Sequence, residues 1–527
     1  MLTTLPLALL LAGTVLPGPA ASSATASGPD DVLAPSERRA IAATERAEVV
    51  AEGIGDPDSA AGGGTSTERA DVTMALREVA NTREVLSGDE REAADALLRR
   101  PTDGAGDGLL AYDVVEATPV CTEHLCVHYV ATTDDAPAMT DGNGDGVPDY
   151  VQTTLDTLTR VADDYVAAGY RRPKPDGARG GDARTDVYLG DLGPGIYGYC
   201  SSDDPSTSNS RGDRWAYCVL DNDYDPTDFP SNTPLENLRV TIAHEYFHAV
   251  QFAYDRYEDA WLLEATAAWV EDEMFDDVDD NLQYLRNSPM TQPKVSLDKF
   301  GNGGFHYGTW SFFRYLTERF RARQGRLPTL VRDVWRLADS APGGPDLYSW
   351  QAVEKALAAR GVTGKRMLAG FAAANRRPAR AYRDGAVNRY PTAPVAAWRT
   401  LSPGARGQAY VKMKHLTTAT VVLRKDGLRP SSRVKLTFDM GARATSPVAL
   451  TTTYFTDGTT STTRVSLGPA GKGTRWIPVG QARIQRVEVT LTNGSARFRC
   501  FQGTTFSCGG RPLDNAVRNG FGLQVLG

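Results

Sequence analysis

Residues 233–271 read TPLENLRVTIAHEYFHAVQFAYDRYEDAWLLEATAAWVE. The run opens on a helix-start signature: Thr233 and Glu236 have capping-box spacing, and Pro234 falls at the first helical position. No glycine or proline follows until well past Tyr254. Leu238, Ile242, Tyr246, Ala249 and Phe252 make one apolar stripe, which Val240, Ala243, Phe247 and Val250 widen to most of the circumference. A helix apolar nearly all round lies inside a domain. His244, Glu245 and His248 therefore sit in an interior, where polar groups need partners. His244 and His248 are four apart, share a helical face and can hold one metal ion; zinc suits two imidazoles so spaced. Glu245, one step after the first histidine, can serve as base toward an activated water. The bland alternative is two satisfied core histidines beside a surface glutamate.

A third ligand is needed. Glu264 lies sixteen positions beyond His248, on what reads as a second helix. A turn near 256–259 and an antiparallel return would bring it to the histidines; otherwise it is a capping or solvated carboxylate. Glu271, two helical turns after Glu264 on the same face, is either an acceptor for a ligand imidazole or a solvated acid.

The HExxH at 244–248 followed by Glu264 resembles the gluzincin metallopeptidases, whose pattern adds a glutamate on the next helix. WLLEATAAWVE looks like the W-x-x-E-G-x-A segment of the aminopeptidase branch. It looks closer still to a family of secreted bacterial metalloproteases with HE-(F/Y)-FHAVQ and W-x-x-E-x-T-A-x-W-x-E-D. The gap is shorter than in the aminopeptidases, Ala265 stands where glycine is usual, and no GxMEN-type motif offers a free-amine anchor. The resemblance implies an α+β, gluzincin-like metallopeptidase domain, assigned to residues 108–390, with zinc as cofactor and a peptide or protein as substrate. It also implies a transition-state hydrogen-bond donor. Tyr307 and His306, in GGFHYG before an amphipathic helix through Phe312, Phe313, Leu316 and Phe320, are the candidates. Ordinary packing at a helix start is the alternative for both.

Composition is that of a globular protein: 41% hydrophobic and 23% charged over 527 residues, enough for two or three domains. The net charge of −8 argues against a nucleic-acid partner and gives no reason for binding an anionic membrane. Residues 1–26 resemble a secretory signal, with an apolar core at 5–16 and Ala24-Thr25-Ala26 as a cleavage site, although no Lys or Arg precedes the core. That core is too short and proline-broken to span a bilayer, and no later stretch is long enough. A secreted, extracellular monomer without an integral membrane span is expected. Six cysteines fall into local pairs, Cys121 with Cys126, Cys200 with Cys218, and Cys500 with Cys508, and read as disulfides rather than as thiolate zinc ligands.

Residues 27–107 are rich in alanine, arginine and glutamate and contain no aromatic residue, so they can hardly build a core alone. Helices are expected over 36–50 and 67–100, with a flexible break at 62–66. The segment is either a removable pro-region covering the active site or a permanent docking segment. Strands are expected at 111–117, 125–131, 185–189 and 215–220, with a helix at 150–168. Asp141, Asn143, Asp145 and Asp149 place oxygens as in a calcium loop, but Gln152 stands at the twelfth position; the alternative is a glycine-rich turn capping the next helix through Asp149. Helices near 327–338, 349–360 and 362–374 complete the lower half. From about residue 390 alternating runs between glycine turns predict a β-sandwich accessory domain, 391–527, without clustered catalytic side chains.

The functional expectation is a secreted zinc peptidase, an endopeptidase, with His244, His248 and Glu264 on the metal and Glu245 as base. Two alternatives stay open: a zinc-containing adhesin or binding module with weak or no peptidase activity, and a hydrolase of a non-protein amide.

Overall fold

The structure, a computed structural model, describes residues 34–52, 54, 71–104, 108–205, 212–301 and 303–527. The signal sequence expected at 1–26 and the break expected at 62–66 lie outside them.

The described chain opens with helices α1 (Pro35–Ala51), α2 (Val72–Thr82) and α3 (Gly88–Ala96). A five-stranded sheet comes next: β1 (Val120–Cys121), β2 (Leu125–His128), β3 (Thr185–Gly190), β4 (Gly198–Ser201) and β5 (Tyr217–Asp221), with α4 (Asp149–Ala167) between β2 and β3. Its spatial order is β1-β2-β3-β5-β4. The central strands β2, β3 and β5 run parallel, and both edges, β1 and β4, are antiparallel to their neighbours. The helical part then comprises α5 (Pro234–Asp255), α6 (Ala260–Met274), the short α7 (Phe305–Gly308), α8 (Trp310–Arg319), α9 (Thr329–Leu337), α10 (Ser349–Ala358) and α11 (Gly364–Ala374).

The expected capping box forms. Thr233 Oγ1 accepts from the Glu236 N–H at 3.3 Å, and Glu236 accepts from the Thr233 N–H at 2.9 Å, so α5 starts at Pro234. The helix is buried from Asn237 through Asp255 apart from Arg239, as its near-continuous apolar surface requires. The chain reverses over 256–259, and α6 returns alongside α5 carrying the fully buried Trp261 and Trp269.

Both faces of the sheet are covered. Alternation along the strands sends Val187, Leu189, Cys218 and Leu220 toward α4 and α5, and Tyr188, Tyr217 and Val219 the other way. Val72, Leu76 and Val79 of α2, with Leu86 and Leu98 from the segments flanking α3, pack on that second face, where the sheet supplies the tyrosines their own segment lacks. Arg100 fixes the end of the segment to the body. Its guanidinium, with no exposed side-chain surface, is bonded to Asp176, Asp186 and Asp203. Residues 97–104 therefore belong structurally with the sheet and its connecting loops.

Several expectations are corrected. The helix expected over 67–100 is broken: Leu86 and Ser87 are extended and Gly88 takes φ +58°, so α2 and α3 are separate. Residues 111–117 make no strand; β-type composition there does not find a pairing partner. The strand expected at 215–220 is Tyr217–Asp221, and β4 is a strand the sequence pattern does not announce. The 141–149 loop is an exposed turn. Asp141 accepts from the N–H groups of Gly144 and Gly146, both at 2.8 Å, Asn143 from Asp145 at 2.9 Å, and Asp145 from Val147 at 2.9 Å. Asp149 does not cap α4: its carboxylate accepts from the Gly142 N–H at 3.2 Å, and Pro148 holds the cap position.

The C-terminal part is two β-sheets around a shared core of Val421, Leu436, Phe438, Val489 and Phe521. One sheet runs in the order Thr460–Arg464, Pro447–Phe455, Ile484–Asn493, Thr417–Lys425, Ala397–Leu401; the other Lys472–Ile477, Arg433–Asp439, Val517–Leu526, Arg406–Met413. It is joined to the helical body through His415, whose Nε2 lies 2.9 Å from Asp298 Oδ1, and through Arg376, paired with Glu488 at 2.9 Å. The N–H of Cys508 donates to Asp259 at the start of α6 at 2.6 Å. The three expected disulfides, 121–126, 200–218 and 500–508, are all formed, and no free cysteine stands among the described residues. No described helix is long and apolar enough to cross a membrane.

Candidate metal centre

The antiparallel return of α6 brings Glu264 between the two histidines of α5. His244 Nε2 lies 3.3 Å from Glu264 Oε2, and His248 Nε2 lies 3.3 Å from Glu264 Oε1. The rings stand at 76° to each other with centroids 4.8 Å apart. Glu264 is fully buried, yet neither carboxylate oxygen has a hydrogen-bond partner, and His248 Nε2 has none either. Buried polar atoms left without partners are costly unless something else satisfies them. Three such atoms turned toward one point can hold a metal ion.

The far side of each ring is fixed. His244 Nδ1 lies 2.5 Å from Glu271 Oε1, one of the residues singled out in the sequence. His248 Nδ1 lies 2.7 Å from Gln251 Oε1, which sequence reasoning missed. Gln251 is itself held: its Nε2 donates to the Leu263 carbonyl at 2.9 Å and to Thr266 Oγ1 at 3.0 Å, both on α6. Since Nδ1 of each ring is engaged, Nε2 is the nitrogen turned toward Glu264. The only advance signal for Gln251 was its position three residues after His248, one helical turn on.

Glu245 lies beside this group and forms with His244 and His248 a buried set whose ligand atoms lie within 4.8 Å of one another. Burial raises its pKa to about 7, against the pull of His244. The backbone of β4 passes directly over it. A Cβ on Gly198 would come within 2.9 Å of the Val219 carbonyl and 3.1 Å of Glu245 Cγ, so only glycine allows this approach. The edge strand bordering the site is therefore β4, which the sequence pattern leaves hidden.

Gly303 and Gly304, at φ +89° and +67°, turn the chain into α7. Of its two candidates, Tyr307 lines the cavity with His244, Glu245, His248, Glu264 and Glu271. Its ring stacks on Tyr284 at 4.9 Å and lies 6.1 Å from that of His244. Burial, with Asp71 and Glu264 nearby, holds its phenol well above the ordinary pKa, so it is a donor. His306 lines the neighbouring cleft instead, 4.4 Å from the Phe300 ring, with its pKa pushed down to about 3 by burial. Two residues from far upstream also enter: Asp71 lines the metal-site cavity, and Thr73 Oγ1 lies 3.2 Å from Glu245 Oε2.

A second group, Cys126, His128 and Asp186, also has close ligand atoms, but Cys126 is in a disulfide and His128 is bonded to Glu116 and Asp186, both at 2.9 Å. No protein-family model matches the chain, and no curated protein matches it.

Proposed function

We propose that the chain is a secreted zinc-dependent peptidase, with His244, His248 and Glu264 holding the ion. One observation carries this reading: two imidazole nitrogens each 3.3 Å from an oxygen of one buried, otherwise unpartnered carboxylate. Ligand atoms at about 2.0–2.1 Å from a tetrahedral zinc stand about 3.3–3.4 Å apart, which is the spacing found. Two nitrogens and one oxygen are also a donor set that suits catalytic zinc.

Zinc, when bound, supplies Lewis acidity toward water and a peptide carbonyl. The chain's own residues do the rest. Glu271 and Gln251 orient the two rings. Glu245, on the same helix and not on the metal, takes a proton from the attacking water and returns it to the leaving amine. The Tyr307 phenol donates a hydrogen bond to the developing oxyanion. The edge strand β4 is the one an extended peptide would pair with, once its Cys200 N–H is released from Thr73 Oγ1. Three disulfides support an extracellular setting.

Glu245→Gln tests the mechanism. The variant keeps stoichiometric zinc and loses cleavage of a denatured protein substrate; measurable cleavage by the parent that is undiminished in the variant refutes it. One observation favours a second reading, a zinc-holding adhesin or binding module without turnover. The cavity at the metal site measures only about 120 Å3, beside a cleft of about 1580 Å3. Stoichiometric zinc without hydrolysis, together with protein or glycan binding by residues 391–527, would mark that reading.

A further inference from the structure

Asp71 stands between these two spaces: it lines both the small cavity holding His244, His248 and Glu264 and the large cleft beside it. It precedes α2, and its two oxygens have different surroundings. Oδ1 accepts from the Met74 N–H at 2.8 Å and caps the helix. Oδ2 is buried without a hydrogen-bond partner, in a side chain one-tenth exposed. It lies 3.6 Å from His306 Nε2, beyond hydrogen-bonding reach. Its neighbours in the cavity include the carboxylates of Glu245 and Glu264 and the phenol of Tyr307. A bare carboxylate oxygen buried among carboxylates is unfavourable unless a cation or a proton lies among them.

Thr73, two residues on, occupies the rest of the chemistry. Its hydroxyl lies 3.2 Å from Glu245 Oε2 and accepts from the Cys200 N–H of β4 at 3.0 Å. Residues 71–73 thus touch the metal site, the base and the edge strand together. The helix behind them is clamped to the turn joining α5 and α6. Arg77 donates to the carbonyls of Arg256 and Glu258, and Arg256 donates to Asn81 at 2.8 Å and to the Ala80 carbonyl at 3.2 Å.

We infer that Asp71 is a fourth protein ligand to the metal, so that the N-terminal segment closes the site and holds it inactive, with Thr73 covering the base and the substrate strand. This rests on the metal site proposed for His244, His248 and Glu264 and adds its regulation. Withdrawing α2 would open the metal's fourth position, free Glu245 and the edge of β4, and join the small cavity to the cleft.

The test uses the full chain loaded with cobalt(II), as parent and as Asp71→Ser, which keeps a cap-forming side chain but removes the carboxylate. Acetohydroxamate is the probe for an open coordination position. In the parent the visible cobalt bands do not move on adding it; in Asp71→Ser they shift at once. Asp71→Ser also retains zinc about tenfold or more weakly against a chelator, since even outer-shell losses cost about 10–100-fold. Asp71→Asn, which preserves the cap equally well, gives the same result if the first variant folds poorly. Parent bands that respond to acetohydroxamate as fully as the variant's overturn the inference while leaving the metal site standing. Failure of both chains to bind cobalt or zinc overturns the inference and the metal reading together. The expected spectra without any peptide cleavage by Asp71→Ser support the closure and sink the peptidase reading alone.

Discussion

The carboxylate of Glu271 lies 2.5 Å from the Nδ1 of His244, reaching it from two turns beyond Glu264 on the same helix. One helix thus contributes both a candidate ligand and the group that orients another. Glu271→Leu is expected to weaken zinc retention about 10–100-fold in chelator competition, and Gln251→Leu to do the same through His248. Unchanged retention in both variants would show that the rings are set by packing alone.

Among the described residues, Arg100 is the basic partner of Asp176 within a buried group that also includes Asp186 and Asp203. Arg100→Met leaves these carboxylates without that guanidinium, an expected loss of about 3–5 kcal/mol in urea unfolding at neutral pH. Burial already lifts Asp176 to about 6 against the pull of Arg100, so the deficit should shrink in acid as Asp176 protonates. A deficit independent of pH would assign the loss to packing instead.

His415 joins the C-terminal sheets to the helical body at Asp298. Burial opposes its charge, but Asp298 more than offsets this and raises its pKa above 6.5. A histidine raised in the folded state contributes stability fully below its unfolded value and loses that contribution as pH rises through its folded value. Thermal unfolding of the parent should therefore fall more steeply than that of His415→Gln as pH is raised from about 6. Parallel profiles for the two proteins would remove His415 from the pH dependence.

Cys200 and Cys218 face each other across β4 and β5 and close a loop of 18 residues. Replacing both by alanine is expected to cost about 3 kcal/mol, the size set by a loop of this length. Because β4 is the edge strand of its sheet, with Thr73 as its contact on the outer side, peptide cleavage measured in the Asp71→Ser background should fall well before global unfolding when denaturant is added to the disulfide variant. Coincident loss of activity and fold would show that β4 is secured without the bridge.

What the sequence made legible was local. His244, His248 and Glu264 lie within one helix–turn–helix, and their approach follows from helical spacing and a short reversal. Glu271 follows from the same periodicity. The cysteine pairs were legible because each closes a short loop. What stayed hidden depends on contacts between distant segments. Thr73 reaches Glu245 across 172 positions, and no residue pattern near either announces it. Strand β4 is four residues long and enters through Gly198, so it carries too little alternation to stand out. Residues 111–117 show the converse, β-type residues that no neighbouring strand takes up.

The loop between Cys500 and Cys508 belongs by sequence to the last module, yet its backbone N–H groups at 508 and 509 hold Asp259, the residue on which α6 begins. The helix bearing Glu264 therefore takes its first turn from the far end of the polypeptide. That contact spans some 250 positions, so this seat for the first turn of α6 forms only once the segment around Cys508 has been made.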